Sequence, residues 1–332
     1  MVKISVIVVA YNRKDFIVKA INSLFSQNLE PSDFEVIVVK NYCDKKIDQI
    51  ISNFGYTNIY SNKVDLSSKI LEGINASKGE IITLLEDDDY YSPNRLATIV
   101  GIFEAAQPVF YHNNFYFIDR TNSITGSGRE FQSFSIDLHI DNLTVFFRKC
   151  IYLRVHHNLS SMAFDRRFIL PVLKKYEGIS TGVDLVLFIS ALSRGRVVYV
   201  DSSKLTYYRR HDSSSNTIIY DPTLNEINVR KDVEILAVLN RLLEDETKSF
   251  IIKQVRLILI ERYIYISIKN SDFNLLFHRD LKVIFSLLKE KLHYPEVEFF
   301  TLFILFFINK IHNGLGKRLL ILLDKNRPKR IA

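Results

Sequence analysis

The sequence has few of the residues that stabilise small secreted proteins, and it has no long apolar run. Its only two cysteines, Cys43 and Cys150, lack paired spacing, which excludes a disulfide framework and a cysteine-type zinc site. The chain opens on a strand-like run without a basic segment or a small-residue cleavage site, so we expect no signal peptide. The most apolar stretch, residues 299–308, falls far short of the roughly 20 residues that a spanning helix needs. A reducing, cytoplasmic setting is therefore expected.

The composition is that of a globular protein with an anionic partner. The chain has 332 residues, of which 47% are hydrophobic and 24% are charged. This length accommodates one large α/β domain and about a hundred further residues. The net charge of +7 favours a nucleotide, a nucleic acid or an acidic membrane surface as the partner, and composition alone does not choose among them.

Apolar runs typical of buried strands alternate with segments of helical periodicity. Such alternation predicts right-handed βαβ units and a Rossmann-like, doubly wound, mostly parallel α/β sheet. The predicted strands are 4–10, 34–39, 59–60, 80–85, 197–200 and 205–209. The first predicted helix follows Asp15, which caps it. Further helices are predicted over 44–54, 67–76, 168–176 and 183–192, and a C-terminal α-helical extension is predicted from about residue 222.

Two predicted strands end in polar residues on the edge where such sheets bind ligands. Tyr11, Asn12 and Arg13 follow the first strand, and the acidic run 86–89 follows the strand over 80–85. Carboxylates crowded at one strand end repel one another, and a hard cation such as Mg²⁺ or Mn²⁺ relieves the repulsion while binding phosphate oxygens. The alternative is an acidic loop that is simply solvated.

Two sequence blocks resemble the family 2 glycosyltransferases of the GT-A fold. Residues 6–13 look like the opening strand of that family. Residues 73–82 and 85–89, followed by Pro93 and Leu96, are similar to its second block. The resemblance implies a GT-A fold and the transfer of a sugar from a nucleotide-activated donor.

The resemblance also implies roles for residues near the first strand. Ala10 and Tyr11 would line the nucleoside pocket, and Asn12, Arg13 and Lys69 are assigned to donor binding with them.

In the acidic block the resemblance distributes four carboxylates over two roles. Glu86 stands where the family usually has its first Asp, and Asp88 stands at the metal-binding position. We assign Asp87 to donor binding beside Glu86 and Asp89 to the metal beside Asp88, in secondary or structural roles.

The second predicted strand departs from the family pattern. The family typically ends this strand with two acidic residues, one of which pairs with the base, whereas this chain has Lys40 and Asn41. A lysine cannot accept a hydrogen bond from a base N–H, but Asn41 can accept through its carbonyl. The resemblance favours a UDP-sugar, and a GDP-sugar remains the alternative.

Two later segments resemble the remaining parts of such a site. Asp184 follows Val183 where the family has Glu-Asp, so the resemblance implies that Asp184 is the general base; its alternative is a charge at a helix N-terminus. Residues 207–216 resemble a block in which His211 completes the metal shell and Arg209 or Arg210 pairs with the diphosphate.

Residues 158–164 also resemble the stretch that lines the acceptor side. His156 and His157 precede this stretch, and we interpret them as ordinary loop histidines.

Lysines and arginines follow the apolar run near the C-terminus. This pattern favours a helix over 297–332 that lies in an anionic membrane interface, although packing on the protein or in a homodimer is the alternative. Aromatic and basic residues do not alternate in this tail as they do in nucleic-acid-binding segments, so we expect no nucleic-acid partner.

The sequence thus predicts a catalytic domain over 1–220, with a donor half to about 105 and an acceptor half from 106, and a helical region over 221–332. The predicted activity is an inverting, Mn²⁺- or Mg²⁺-dependent glycosyltransferase acting on a glycan or lipid-linked acceptor at the cytoplasmic face of the membrane. The rival hypotheses are a nucleotidyltransferase, although no glycine-rich phosphate loop follows the first strand, and a non-catalytic sugar-nucleotide-binding or scaffold protein.

Overall fold

The computed structural model describes residues 2–11, 14–137 and 143–210, together with residues 237, 238, 241, 242 and 244. The chain divides into two compact units, Met1–Ile218 and Ile219–Ala332, and all the elements below belong to the first. The domain boundaries predicted from the sequence stay predictions.

The described residues form one large sheet with helices on both faces. The strands are β1 (Ile4–Ala10), β2 (Phe34–Lys40), β3 (Thr57–Tyr60), β4 (Ile81–Glu86), β5 (Tyr90–Tyr91), β6 (Phe110–Ile118), β7 (Ile124–Ser127), β8 (Phe134–Asp137), β9 (Met162–Asp165) and β10 (Val197–Arg209). The helices are α1 (Ile17–Phe25), α2 (Lys45–Asn53), α3 (Leu66–Ala76), α4 (Arg95–Ala106), α5 (Leu143–Leu153), α6 (Arg166–Lys175) and α7 (Val183–Arg194), with a 3-10 turn at Leu159–Ser161.

The sheet is mixed, and the half that contains the first four strands is parallel. The strand order is β3-β2-β1-β4-β9-β6-β10-β5, with β7 paired to β6 and β8 paired to β10. Strands β1 to β4 run parallel, β6 and β10 run parallel, and β9 is antiparallel to both β4 and β6. The predicted mostly parallel, doubly wound α/β fold is confirmed.

The first strand shows how the sequence builds this core. Every residue of β1 is buried, as expected for a strand covered on both faces. Val6 and Val8 belong to the same apolar cluster as the buried residues of α1. On the opposite face α3 lies so close that a Cβ at Gly73 would come within 2.4 Å of Ile7 Cγ2. A glycine at this position therefore permits the close approach of helix and strand.

Three local predictions need correction. The strands predicted at 197–200 and 205–209 are one strand, β10, because shifts in its register against β6 absorb the irregular residues between them. Helix α1 starts at Ile17 with Phe16 as its N-cap and no side-chain cap bond, so Asp15 does not cap it. Strands β6, β7 and β8 were not predicted, since their polar residues obscure the alternation.

Among the described residues, no helix combines the length and the apolar character that crossing a membrane requires. The predicted interfacial segment 297–332 lies outside the described residues.

Candidate active site

The ends of β1 and β4 meet at the predicted edge of the sheet. Val9 lies beside Glu86 in the parallel register, and the backbone N–H of Tyr11 donates to Asp87 Oδ2 at 3.2 Å. Asp87 is buried, whereas Tyr11 remains 46% exposed at the mouth of the crevice. Ala10 is fully buried at the end of β1.

Lys69 from α3 lies beneath the ring of Tyr11. Its Nζ is 4.1 Å from the ring centroid, which is a cation–π contact. Burial lowers the pKa of Lys69, whereas the charges of Asp65, Asp87 and Glu72 raise it. The structure thus places Lys69 between the exposed Tyr11 and the acidic loop.

The acidic loop is buried rather than solvated. Asp88 and Asp89 are 9% and 1% exposed. Burial raises the pKa of Asp89 well above its usual range, and the charges of Asp88 and Glu86 add to this effect. Asp89 Oδ1 accepts from the Arg209 backbone N–H at 2.8 Å, and Asp89 Oδ2 is buried without a hydrogen-bond partner.

Arg209 holds this loop against the sheet. Its Nε donates to Asp88 O at 2.7 Å, its Nη1 donates to Asp119 O, and its Nη2 donates to Asn122 Oδ1 at 2.6 Å. The guanidinium also lies over the Phe16 ring, 4.3 Å from the centroid. Each of the three guanidinium nitrogens therefore donates one hydrogen bond within the protein. The predicted diphosphate contact of Arg209 stays a prediction, and Nη1 and Nη2 each have a second N–H that could make it.

Asp184 lies in the first turn of α7, as both interpretations of it require. Its Oδ1 accepts from Leu185 N at 2.9 Å and its Oδ2 accepts from Asn158 N at 3.4 Å. Asn158 Oδ1 then accepts from Ser160 N at 3.0 Å, and Ser160 Oγ accepts from Glu86 N at 3.0 Å. Three hydrogen bonds therefore join the predicted base to the acidic loop, and the last of them, between Ser160 and Glu86, spans 74 residues of sequence.

Asn158 and Ser160, which link Asp184 to Glu86 through these hydrogen bonds, were predicted from the sequence only to line the acceptor side. Asn158 is buried and has a φ of 77°, a left-handed conformation that asparagine tolerates better than most residues. In the sequence, the order Asn-Leu-Ser-Ser is typical of a turn that the asparagine side chain caps. This order is the signal from which the role of Asn158 could have been predicted.

His112 and His157 form the floor beside Asp184. Burial lowers the pKa of His112 to about 3, so the ring is neutral, and its Nε2 donates to the His157 carbonyl at 3.0 Å. Burial also lowers the pKa of His157, and the charge of Asp184 opposes this change. His157 packs edge-to-face on Tyr208, with ring centroids 5.6 Å apart.

Lys40 is turned away from the crevice. It is 2% exposed, its Nζ donates to Tyr42 O at 2.7 Å, and it pairs with Asp48 Oδ1 at 2.7 Å. Its neighbour Asn41 is partly exposed just beyond the end of β2. The acidic pair expected at this strand end is thus replaced by a lysine that is neutralised by α2.

Within the described residues, no group of three or more His, Cys, Asp or Glu side chains is arranged to hold a metal ion. One or two carboxylates suffice where phosphate oxygens complete the shell. The buried Asp88 and Asp89, with the unpartnered Oδ2 of Asp89, fit a divalent cation by this criterion. Asn12, Arg13 and His211 lie outside the described residues.

Comparison with known proteins identifies the family and the fold of the chain. Residues 5–170 match the family model described as glycosyl transferase family 2. The succinoglycan biosynthesis protein ExoO of Rhizobium meliloti (strain 1021) is 26% identical over 66% of this chain and 64% of its own length. The chain therefore spans less than two thirds of that relative.

One further protein and one solved fragment are similar to the chain over most of their length. The UDP-Glc:alpha-D-GlcNAc-diphosphoundecaprenol beta-1,3-glucosyltransferase WfaP of Escherichia coli is 24% identical over 70% of this chain and 88% of its own. The crystal structure of S. aureus TarS 1-349 in complex with UDP-GlcNAc superposes with a TM-score of 0.59 at 15% identity, over 97% of this chain and 91% of that one. At this identity the superposition establishes the fold alone.

Proposed function

This chain belongs to glycosyl transferase family 2, and from that premise we propose that it transfers a sugar from a nucleoside diphosphate donor to an acceptor hydroxyl, with inversion. The observation that carries the proposal is the set of three hydrogen bonds that joins Asp184 through Asn158 and Ser160 to Glu86. These bonds support the proposal because they connect the carboxylate proposed as the base to the strand end proposed to bind the diphosphate.

In this proposal Asp184 accepts the proton of the acceptor hydroxyl. The acceptor oxygen then attacks the anomeric carbon from the face opposite the leaving diphosphate. The backbone N–H groups of Leu185 and Asn158 hold the two carboxylate oxygens in place, so the base does not have to be ordered during the reaction.

The donor nucleotide would lie over the ends of β1 and β2. Ala10, Tyr11 and Asn41 would surround the nucleoside, and Asn12, Arg13, Lys69, Glu86 and Asp87 would contact the remaining donor groups. A UDP-sugar is favoured because the TarS structure contains UDP-GlcNAc and WfaP is named for UDP-Glc. A GDP-sugar is the alternative, since Lys40 removes the usual acidic partner of the base.

Asp88 and Asp89 would hold Mn²⁺ or Mg²⁺, with His211 as the further ligand predicted from the sequence. The cation supplies charge neutralisation on the departing diphosphate. Arg209 contributes by donating its Nε–H to the backbone carbonyl of Asp88 and its backbone N–H to the carboxylate of Asp89.

We propose a glycan or lipid-linked glycan as the acceptor, at the cytoplasmic face of the membrane. The name of WfaP specifies an acceptor sugar carried on diphosphoundecaprenol, and ExoO is named for a polysaccharide pathway. Membrane contact through residues 297–332 and homodimer formation stay predictions.

The proposal is tested by a thermal-shift screen of UDP-, GDP- and dTDP-sugars with and without Mn²⁺, followed by the Asp184→Asn variant. We expect stabilisation by one nucleotide class with Mn²⁺, and retained donor binding with loss of at least about a hundredfold in transfer for Asp184→Asn. Asp165→Asn is the matched control, because Asp165 is an N-cap that pairs with Ile81 at the start of β4, at the opposite end of that strand from Glu86, and asparagine also caps helices.

A protein indifferent to every nucleotide would contradict the donor assignment. Transfer by Asp184→Asn at the rate of Asp165→Asn would show that Asp184 is only a charge at a helix N-terminus.

A further inference from the structure

A series of polar side chains crosses the interior of the sheet and ends at the turn that contains Ser160. It begins at Arg95, the first residue of α4, and continues through Asn113 in β6 and Thr206 in β10, all of which are 0% exposed. Arg95 Nε donates to Asn113 Oδ1 at 2.8 Å. Asn113 Nδ2 donates to Thr206 Oγ1 at 2.9 Å, and Thr206 Oγ1 donates to Ser160 O at 3.2 Å. Burying such groups is costly unless they are hydrogen-bonded, and these bonds meet that requirement.

The guanidinium of Arg95 sets the direction of the hydrogen bonds that follow it. Arginine can only donate, so the amide oxygen of Asn113 faces Arg95 and its NH₂ group points the other way. That NH₂ group donates to Asn114 O at 2.7 Å and to Thr206 Oγ1. Because Thr206 accepts from the amide, its own hydrogen is directed to the carbonyl of Ser160. The orientation of the Thr206 hydroxyl is therefore set by a residue two hydrogen bonds away.

An irregularity in β10 precedes Thr206. The register of β10 against β6 shifts between Asp201 and Lys204, and again between Lys204 and Thr206. After the second shift, Thr206 pairs with Phe115 in β6 and with Tyr91 in β5. Bulges re-aim side chains and are over-represented next to active sites. The backbone of β10 is thus adjusted immediately before the residue that contacts the turn.

Ser160 is the middle of the connection between Asp184 and the acidic loop. Its Oγ accepts from Glu86 N at 3.0 Å, and its N–H donates to Asn158 Oδ1 at 3.0 Å. Its carbonyl is the group that accepts from Thr206. Ser160 lies in a 3-10 turn of only three residues, which has few hydrogen bonds of its own. A bond to the carbonyl restricts rotation of this backbone and therefore the direction of the serine side chain.

We propose that Thr206 is a positioning residue that holds the Ser160 turn and thereby sets the position of Asp184 relative to the acidic loop. The role of Asp184 in this inference rests on the proposed function, whereas the hold of Thr206 on the turn does not. Inverting transfer requires the base and the departing diphosphate on opposite sides of the anomeric carbon. A displacement of about 1 Å between such groups can lower the rate about a hundredfold, so the turn that connects them has to be held.

The test compares Thr206→Val with Thr83→Val in the full chain. Each variant replaces a hydroxyl with a methyl group at a position that is 0% exposed. Thr83 is the matched control because its Oγ1 also donates to a backbone carbonyl, that of Met162, at 2.8 Å. Met162 is also held by its pairing with His112 in β6, so the control loses a buried hydroxyl without releasing the Ser160 turn.

Hydrogen exchange measures the hold on the turn directly. We expect the amides of Glu86, Asn158 and Ser160 to exchange about tenfold faster in Thr206→Val than in Thr83→Val, because a lost hydrogen bond shifts local opening by about this factor. Melting temperatures of the two variants within a few degrees of each other show that global unfolding does not cause the difference. If Thr206→Val does not fold, Thr206→Ala and Thr83→Ala give the same comparison.

Release of UDP from UDP-GlcNAc with Mn²⁺ measures catalysis, with water in place of the acceptor. We expect kcat of Thr206→Val to be about tenfold lower than that of Thr83→Val, because the base is misplaced. The KM for UDP-GlcNAc should stay within about twofold, since a lost positioning effect acts on the transition state. Thr206→Ser keeps the hydroxyl and should restore both the exchange rates and kcat, which a role in filling space alone does not explain.

Equal exchange rates in the two valine variants would overturn the proposal, because Thr206 would not hold the turn. Faster exchange in Thr206→Val with the kcat of Thr83→Val would overturn it as well, because the turn would not position the base. If the wild-type protein releases UDP from neither UDP-GlcNAc nor UDP-Glc, the proposed function fails, and the exchange rates alone decide whether Thr206 holds the turn.

Discussion

Replacing Arg209 with lysine tests whether this residue builds the acidic loop or binds the donor. The guanidinium donates to Asp88 O, Asp119 O and Asn122 Oδ1 through three different nitrogens. A lysine has one nitrogen and can replace one of these bonds. Two bonds from a charged donor are lost, each contributing about 1.5–3 kcal/mol when buried.

Because the bond to Asn122 reaches a partly exposed region, we reduce the sum to about 2–4 kcal/mol of unfolding free energy for Arg209→Lys. This corresponds to a melting temperature about 5–15 °C lower. UDP binding with Mn²⁺ should weaken as well, because the backbone carbonyl of Asp88 loses its bond to the guanidinium. Chemical denaturation and calorimetric titration with UDP measure the two effects.

The variant Asn122→Gly separates the contribution of the bond to Asn122 from those of the other two guanidinium bonds of Arg209. Asn122 has a φ of 69°, which glycine adopts without strain, so this variant removes only the acceptor of Nη2. We expect a loss of about 1 kcal/mol or less and unchanged UDP binding. If Arg209→Lys is as stable as the wild type but binds UDP at least tenfold more weakly, Arg209 is a donor ligand and the assigned loop-holding role is wrong.

Three further predictions concern buried ionisable groups. Burial lowers the pKa of His112 to about 3 from 6.5, so its contribution to stability is complete above pH 6.5 and decreases as the pH falls towards 3. Denaturation at pH 6.5 and 4.5 should therefore show about 2 kcal/mol less acid destabilisation in His112→Gln than in the wild type, and equal losses would refute the assignment. Lys69→Met should weaken UDP binding about tenfold by removing the cation beneath Tyr11, whereas Lys63→Met, at a surface pair, should leave it unchanged. Asp88→Asn should abolish the additional thermal stabilisation that Mn²⁺ gives with UDP; if that stabilisation persists, Asp88 is not a metal ligand.

The family resemblance and the meeting of the first strand end with the acidic run were accessible from local sequence. Residues of β1 are buried on both faces, and the acidic run follows β4 directly, so both strand ends reach one edge by topology alone. The meeting of Tyr11 with Asp87 follows from that parallel pairing. Strands β6 to β8 were inaccessible because buried polar residues such as Asn113 and Asn114 interrupt the apolar alternation on which the prediction depends.

The sequence by itself determined the α/β fold, the family and the strand end that carries the carboxylates, because burial periodicity and strand–helix alternation are properties of short segments. Only the tertiary structure decided how the later residues are used. It directs Arg209 onto the backbone of the acidic loop, pairs Lys40 with Asp48, and connects Asp184 to Glu86 through Asn158 and Ser160. These outcomes depend on hydrogen bonds between polar side chains and other elements of the sheet. A polar side chain has several suitable partners in any chain, and the packing of the elements selects among them.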